Sequence, residues 1–415
     1  MKEKFKLTSL ERKWVMYDVG NSAFTLMVST LIPIYFNMLA SETVLDSVTY
    51  LAYWGYAITV STLIVVVLGP VLGAISDKKG RKKPIFIAVI LLGAAGCLSM
   101  GFTKGWKSFL IVFVIARVFY QISLIIYDSM LGDVTTEDRL DEVSSQGYAW
   151  GYIGSVVPFI ICLVLFIFSG KLGMTQAQAL AVAFVITAVW WASVSVPLFR
   201  SYEQKNYVNE RESHENLFVQ LWATLKDMAK TPQILLFVLA FFFYIDGVYT
   251  IIDMSTAYGA ALGLDSTGLL LALLVTQFVA FPSVLIIGRL SRTVAPEKLI
   301  TVCIIAYFGI AMFAVFMSAQ IHFWILAVCV GIFQGGIQAL SRSYFTKIIP
   351  SEKSGEYFGF LDICGKGASI MGTLVMSALT QITGKQQIGV GAIACFFIVG
   401  LVLFRMSAAK AAKKQ

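Results

Sequence analysis

Polar side chains recur at helical spacing inside two stretches of the chain that are otherwise apolar. In the first stretch Asp18, Asn21 and Ser22 fall at positions i, i+3 and i+4, so they share one face of a helix. The second stretch repeats this arrangement with Asp246, Tyr249, Thr250 and Asp253. Carboxylates and hydroxyls that share a face can bind a proton, a cation or the polar groups of a small solute.

Other polar residues inside apolar stretches extend this pattern. They are Arg117, Gln121, Gln334, Gln338, Asp362 and Lys366. Asp362 and Lys366 stand four residues apart, so a structural ion pair and a functional role are both open for them. Asp18 and Arg342 lie near the ends of their stretches, where a gate or a packing role competes with solute contact. Asp246 and Asp253 are expected to lie deeper and have no adjacent base, and Asp246 is the first candidate for coupling.

The elements that must position these residues are membrane-spanning helices. Of the 415 residues, 58% are hydrophobic and only 13% are charged, which excludes an ordinary soluble protein. Runs such as residues 84–102 carry no charge and are long enough to cross a bilayer. The predicted spans are residues 14–39, 51–75, 84–103, 107–131, 147–169, 178–198, 232–257, 266–288, 298–318, 322–342, 357–379 and 386–405.

The distribution of basic residues predicts the orientation. Of the 32 Lys and Arg, 26 lie in the termini and in the alternate loops that this topology places on one side, and 4 lie in the loops on the other side. Because cytoplasmic loops keep such an excess, both termini are predicted to be cytoplasmic. The short linker and modest length favour a bacterial inner membrane. The net charge of +8 then reflects topology and anionic lipid, so no nucleic-acid partner is expected. The six cysteines are scattered singly, which indicates buried thiols and no metal or other cofactor.

A polar segment divides the spans into two sets of six. The predicted domains are a six-helix bundle at 1–198, a cytoplasmic linker at 199–231 and a second bundle at 232–415. Leu217, Leu221, Leu225 and Met228 recur at helical spacing in the linker, so an interfacial helix and a solvated linker are both open. Similar offsets between corresponding glycines and glutamines favour a duplicated unit, which places a solute site between repeats near the bilayer midplane.

The loop after the second span is crowded with charge. Its sequence GAISDKKGRKKP includes Gly73, which allows close helix approach, Gly80, which allows a tight turn, and Asp77. Asp77 can lie near the positive end of a helix, and Arg81 can reach an acid such as Asp128 or Asp133. A positive-inside loop explains the bases but not the acid. The loop resembles the signature loop of major facilitator superfamily transporters, which implies a gate.

The corresponding second-half loop, residues 288–292, lacks the acid, so any gate there must be built differently.

Further motifs resemble one branch of that superfamily, the vacuole-effluxer-like family. They are Tyr17-Asp18-x-x-Asn21-Ser22-Ala23-Phe24, Tyr244-x-Asp246-Gly247, Gln334-Gly-Gly-Ile-Gln338-Ala-Leu-Ser341-Arg342-Ser343 and Phe358-Gly359-Phe360. The resemblance implies the major facilitator fold of two pseudo-symmetric six-helix bundles and an efflux activity on amino acids. Ile245 and Tyr249 stand where the family commonly has Asn and Gln, so its substrate does not simply carry over.

These observations favour a secondary transporter that moves a small solute by alternating access, with protons as the coupling ion. No GxxxxGK[ST] loop is present, so energy would come from a gradient. An alternative is a transporter-like sensor or scaffold that moves nothing, although intramembrane carboxylates argue against it. An enzyme is not expected, because the spans carry no catalytic motif of the HExxH type.

Overall fold

A computed structural model describes residues 5–41, 47–209, 217–261, 264 and 266–412, and in this part the chain is built from α-helices. The helices are α1 (Ser9–Ser29), α2 (Leu31–Ser41), α3 (Ser47–Asp77), α4 (Lys82–Met100), α5 (Trp106–Ser129), α6 (Leu131–Val134), α7 (Leu140–Ile167), α8 (Gln176–Ser201), α9 (Leu217–Lys230), α10 (Pro232–Ala261), α11 (Ser266–Leu290), α12 (Pro296–Val315), α13 (Gln320–Ile348), α14 (Ser354–Thr383) and α15 (Gln386–Ala412).

Each of the twelve predicted spans coincides with a long helix, α1 and α2 together forming the first. Among the described residues, eleven spans are long and apolar enough to cross a membrane. The remaining predicted span coincides with α14, which has 30 residues, and the side chains of its residues 366–370 lie outside the described part of the chain. The all-helical, multi-pass membrane architecture is therefore confirmed. Helices suit this setting because they satisfy their backbone hydrogen bonds internally, where lipid offers no partner.

The first span is broken between α1 and α2. Thr30 leaves the helical conformation, with φ of −129° and ψ of −79°. Pro33 lies four residues after Ser29 and has no N–H to donate to its carbonyl, so the helical ladder loses a bond at this point. Other helices accept an internal proline without a break, namely α3 with Pro70, α7 with Pro158 and α11 with Pro282.

The chain forms two compact units. The first comprises Met1–Thr135, Trp150–His214 and Glu352–Gly359, and the second comprises Thr136–Ala149, Glu215–Ser351 and Phe360–Gln415. The start of α7 thus belongs to the second unit and the start of α14 to the first. The predicted domain bounds place residues 136–149 in the first bundle and residues 352–359 in the second.

Each unit has an aromatic core. In the first, Trp14 stacks on Tyr127 with ring centroids 4.3 Å apart, and Trp191 is fully buried near them. In the second, Phe237 packs against Tyr344 with centroids 5.2 Å apart. These rings bury large apolar areas and, except for Trp191, lie on the same helices that carry the predicted polar residues.

Several helices extend beyond their predicted spans, among them α7 and α13. Helix α7 begins at Leu140, seven residues before the predicted start, and α13 ends at Ile348, six residues after the predicted end. The added turns carry charge, so hydropathy does not detect them. In the predicted linker, α9 is amphipathic: Trp222 is 61% exposed beside Val219 and Leu225, whereas Thr224 and Met228 are buried.

Candidate functional site

Asp246 lies in the middle of α10 and is fully buried, with 0% exposure. We call the predicted polar face of α10, which carries Asp246, Tyr249, Thr250 and Asp253, the polar stripe of the second unit. The Oδ1 of Asp246 accepts hydrogen bonds from the backbone N–H of Gly372 at 3.1 Å and from the Thr250 hydroxyl at 3.2 Å. Its Oδ2 is buried and, within the part of the chain that the structure describes, has no hydrogen-bond partner. An acceptor buried in this way is stabilised only when it binds a proton or another donor.

Gly372 makes this arrangement possible. A Cβ atom at that position would collide with the Thr250 hydroxyl and with the Asp246 carboxylate. The absent side chain lets α14 approach α10 closely enough for its backbone N–H to reach the carboxylate. The spacing of polar residues predicts the face of α10, but the contact with α14 is visible only in three dimensions.

The other predicted members of this stripe are less enclosed. Tyr249 is half-buried and Asp253 is exposed, although the two share a helical face with Asp246. On α13, Gln334 is buried and Gln338 is half-buried. Helical spacing thus places Tyr249 and Asp253 on the same face of α10 as Asp246, but Asp246 is buried and Asp253 is exposed.

On α14, Asp362 is half-buried. The side chain of Lys366 lies outside the described residues, so the choice between an ion pair and a role in transport stays a prediction.

In the first unit, Asp18 is held within the packing of α1 against α5. Its Oδ1 accepts a hydrogen bond from the Asn21 amide at 3.2 Å, and its Oδ2 accepts one from the Tyr127 hydroxyl at 2.8 Å. Both oxygens therefore have donors. Ser22 is half-buried and faces α7, where a Cβ on Gly151 would lie 2.9 Å from its oxygen. This environment is more typical of a structural carboxylate than of a solute ligand.

Arg117 and Gln121 lie one turn apart on α5, as predicted from the spacing. Arg117 is half-buried and Gln121 is buried. Among the described residues, the Gln121 Oε1 has no hydrogen-bond partner. A buried amide oxygen without a donor is a second unsatisfied acceptor, in the first unit.

A first charged cluster joins the signature loop to the start of α14, and we define it as Asp77, Lys82, Ser354, Gly355 and Glu356. The two oxygens of Asp77 accept hydrogen bonds from the backbone N–H groups of Gly355 and Glu356, each at 2.9 Å. Lys82 lies 3.2 Å from Asp77 and donates to the Ser354 hydroxyl at 2.9 Å. Asp77 and Lys82 are both fully buried. The carboxylate satisfies orphan N–H groups and the positive end of the helix dipole.

Two glycines of the signature loop have specific reasons to be glycine. A Cβ on Gly73 would overlap the carbonyl of Gly355, so the close approach of α3 to the start of α14 requires its absence. Gly80 has φ of +71°, a left-handed conformation that other residues adopt at a cost.

Arg81 differs from its expected position. It is exposed at the start of α4, and the base that pairs with Asp77 is the next residue, Lys82. Asp133, one of the two acids considered as a partner for Arg81, binds the Tyr202 hydroxyl and accepts from the Asn206 backbone N–H at 2.9 Å. Burial, and secondly the nearby Asp133, raise the pKa of Tyr202, so its hydroxyl keeps the proton that it donates. The other acid, Asp128, is half-buried near the end of α5.

A second charged cluster lies in the second unit, and we define it as Asp141, Glu142, Arg292, Arg342 and Lys347. Asp141 accepts from Lys347 at 2.7 Å, and Glu142 forms an ion pair with Arg292. Here the acids come from the first turn of α7 and the bases from the loop after α11 and the end of α13. Residues 288–292 contain no acid, so their sequence alone does not reveal this arrangement. The adjacent acids Asp141 and Glu142 at the start of a helix are the sequence feature that could have indicated it.

Arg342, a predicted gating residue, is buried and contacts α7 one turn after Asp141. Its guanidinium donates to the hydroxyl and to the carbonyl of Ser144, each at 2.9 Å. It also stacks on Tyr148, with 4.4 Å between the guanidinium carbon and the ring centroid. A planar guanidinium group can donate two hydrogen bonds and stack on a ring at the same time, which a lysine ammonium group cannot do.

Comparison with protein families decides the classification. The family model described as vacuole effluxer Atg22 like matches residues 9–415. The chain belongs to this family. An uncharacterised MFS-type transporter, YxiO of Bacillus subtilis (strain 168), is 38% identical over 405 residues, covering 96% of this chain and 94% of that protein. The resemblance drawn from the sequence motifs is therefore confirmed.

More distant matches within and beyond the family show how far the likeness extends. Autophagy-related protein 22-1 of Sclerotinia sclerotiorum is 22% identical over 296 residues, covering 64% of this chain and 49% of the fungal protein. This chain thus spans about half the length of that relative. The proton:xylose symporter XylE has a TM-score of 0.74 at 11% identity, covering 95% of this chain and 94% of that chain. Together with the helices, this likeness establishes the major facilitator fold.

Proposed function

We propose that this protein is a secondary active transporter that moves a small solute by alternating access and couples this movement to protons through Asp246. The observation that carries the proposal is the fully buried Asp246 carboxylate, whose Oδ2 lacks a hydrogen-bond partner among the described residues. Asp18 and Asp77, by contrast, have donors at both oxygens.

Coupling needs a group that is stable in two states. A bare carboxylate at membrane depth costs about 2.5 to 3.5 kcal/mol on insertion scales. Binding of a proton or a cation at Oδ2 removes much of this cost, and release restores it. Asp246 is therefore suited to exchange a proton once in each transport cycle, which links the proton gradient to the solute.

The comparisons support the transporter class. The matching family is described as effluxers, and XylE, with the same fold, is a proton:xylose symporter. Amino acids are the first solute class to test, because the family resemblance implies them and their ammonium group can bind Asp246. The relatives and structural neighbours are transporters, which favours a protein without enzymatic activity. The basic loops support an inner-membrane protein with both termini in the cytoplasm.

We further propose that the two charged clusters act as gates. Asp77 holds the first turn of α14, and Asp141 and Glu142 hold the loop after α11 and the end of α13. Transport would break and remake these contacts in each cycle. Buried ion pairs are suited to such switching, since their net contribution to stability is small once desolvation is included.

The test is flux in proteoliposomes. Uptake and efflux of a labelled amino-acid panel, with amines, sugars and carboxylates added, are measured with and without an imposed pH gradient. We expect saturable flux of at least one solute that changes rate with the gradient, above the rate in protein-free liposomes. Absence of flux for every solute would favour a sensor or scaffold instead.

A further inference from the structure

The second unit contains an apolar cavity of about 110 Å³ beside the turn of α10 that follows Asp246. Its lining includes Thr250, Tyr258, Met317, Phe323, Gln334 and Met376. Thr250 is the hydrogen-bond partner of Asp246, and Met376 lies one turn after Gly372, the other partner. The cavity thus begins one helical turn from the carboxylate on both helices that hold it.

The lining is suited to an apolar group of moderate size. An apolar cavity of about 150 Å³ holds a benzene molecule, so this one is of the size of an aromatic ring or a branched alkyl group. Three methionines, Met254, Met317 and Met376, belong to the lining. Methionine is polarisable and adapts its shape, which is typical of surfaces that bind several related apolar ligands.

The charge around the cavity is one-sided. Among the described residues that line it, none is basic or acidic, and the nearby carboxylates on α10 are Asp246, which binds Thr250, and the exposed Asp253. Tyr258 and Phe323 add aromatic rings, whose faces attract cations. An anion would therefore find no charged partner among the described lining residues, whereas a cation would find aromatic rings there and the Asp246 carboxylate one turn away.

We infer that the cavity binds organic amines, with the apolar body in the cavity and the ammonium group donating to Asp246 Oδ2. The recognised charge is the amino group and not a carboxylate, so an apolar amine should bind better than the amino acid of the same side chain. This inference rests on the proposed function, because it gives Asp246 a ligand within the transport cycle.

The test uses three probes that share one ring and differ in charge: 2-phenylethylamine, phenylalanine and 3-phenylpropionate. Binding of each is measured to the full-length protein in nanodiscs, with empty nanodiscs subtracted. We expect the amine to bind with a Kd about tenfold lower than phenylalanine and the carboxylate to bind most weakly. In Asp246→Asn the advantage of the amine should disappear. Equal Kd values for the amine and the carboxylate in the wild type would overturn the inference.

The cavity is tested separately from the carboxylate. Ala311 lines the cavity and is fully buried, so Ala311→Phe should fill the space and abolish amine binding. The control on the same helix is Val302→Phe, at a position 54% exposed, which should bind the amine as the wild type does. Should Ala311→Phe fail to fold, Met376→Ala replaces it: the larger cavity should improve the Kd of 4-phenylbutylamine about fivefold relative to 2-phenylethylamine. An unchanged ratio, or wild-type binding by folded Ala311→Phe, would contradict the inference.

Binding and flux together distinguish failure of the amine site from failure of the proposed transport function. Gradient-dependent flux of another solute, without amine binding, would overturn the amine site and leave the proposed function intact. Amine binding that depends on Asp246, without flux of any solute, would support the site and contradict the transporter.

Discussion

Asp77 and Asp246 are both fully buried carboxylates, yet their surroundings differ in kind. Asp77 has two backbone N–H donors and Lys82, so its charge is compensated on both oxygens. Asp246 has donors at Oδ1 alone among the described residues. A buried carboxylate oxygen without a donor needs an explanation, whereas a fully bonded carboxylate is explained by its contacts. At the scale of single residues, hydrogen bonding therefore supports the proposed roles of Asp77 in a gate and of Asp246 in coupling.

Replacement of Asp77 by Asn tests the first of these roles. The change leaves the Lys82 ammonium buried without its counter-charge, so we expect a loss of about 3 kcal/mol in the free energy of unfolding. The double variant Asp77→Asn, Lys82→Met buries no unpaired charge and should recover part of this loss. Thermal unfolding in one detergent measures both. Equal destabilisation of the single and double variants would show that the pair is not coupled.

Gly73 offers a second test at the residue scale, with a matched control on the same helix. In Gly73→Ala the new methyl group meets the Gly355 carbonyl, and overpacking of this kind costs about 1 to 3 kcal/mol. Gly55 has no neighbouring atom within 4 Å of such a methyl group, so Gly55→Ala should be neutral or slightly stabilising. Similar melting temperatures for the two variants would argue against a close approach of α3 to the start of α14.

At the scale of elements, the second charged cluster reverses the polarity of the first. In the first, the acid ends α3 and caps the start of α14, whereas in the second the acids begin α7 and bind bases from the loop after α11 and from α13. Sequence inspection predicts the spans well because hydropathy over about twenty residues measures burial in lipid. It does not predict the charged turns of α7 and α13, since the first charges end the apolar pattern while the helices continue.

Charge reversal tests the contact between α7 and the loop after α11. Glu142→Arg and Arg292→Glu should each lower the free energy of unfolding by about 1 kcal/mol, because Arg292 is partly exposed and its ion pair is screened by solvent. The double variant restores opposite charges and should regain stability and flux. We would measure thermal unfolding and proteoliposome flux for all three proteins. A double variant that is as unstable as the sum of the single variants would contradict the pairing.

The candidate site shows the same division between what a sequence specifies and what packing adds. Helical spacing predicts that Asp246, Tyr249 and Asp253 share a face, and this follows from the geometry of a helix. Spacing does not reveal that Asp246 is buried while Asp253 is exposed, since the depth of each depends on how α14 packs against α10. The contribution of Gly372 could not be predicted, because its contact joins residues 126 positions apart.

For the whole molecule, the fold and family establish a multi-pass membrane protein related to MFS-type transporters. The two charged clusters are the parts proposed to move, and Asp246, whose Oδ2 has no hydrogen-bond partner among the described residues, is the part proposed to bind. A scaffold has no need for a buried acceptor without a donor. The coupling role of Asp246 is therefore the central claim at this scale.

The measurement that tests this claim most directly compares wild type and Asp246→Asn in proteoliposomes, with the solute of fastest flux at saturating concentration. Asp227→Asn, which removes an exposed carboxylate on α9, is the control. An imposed pH gradient should change the flux of wild type and control about tenfold and that of Asp246→Asn less than about twofold, because an amide cannot exchange a proton. Full gradient dependence in Asp246→Asn would contradict the account.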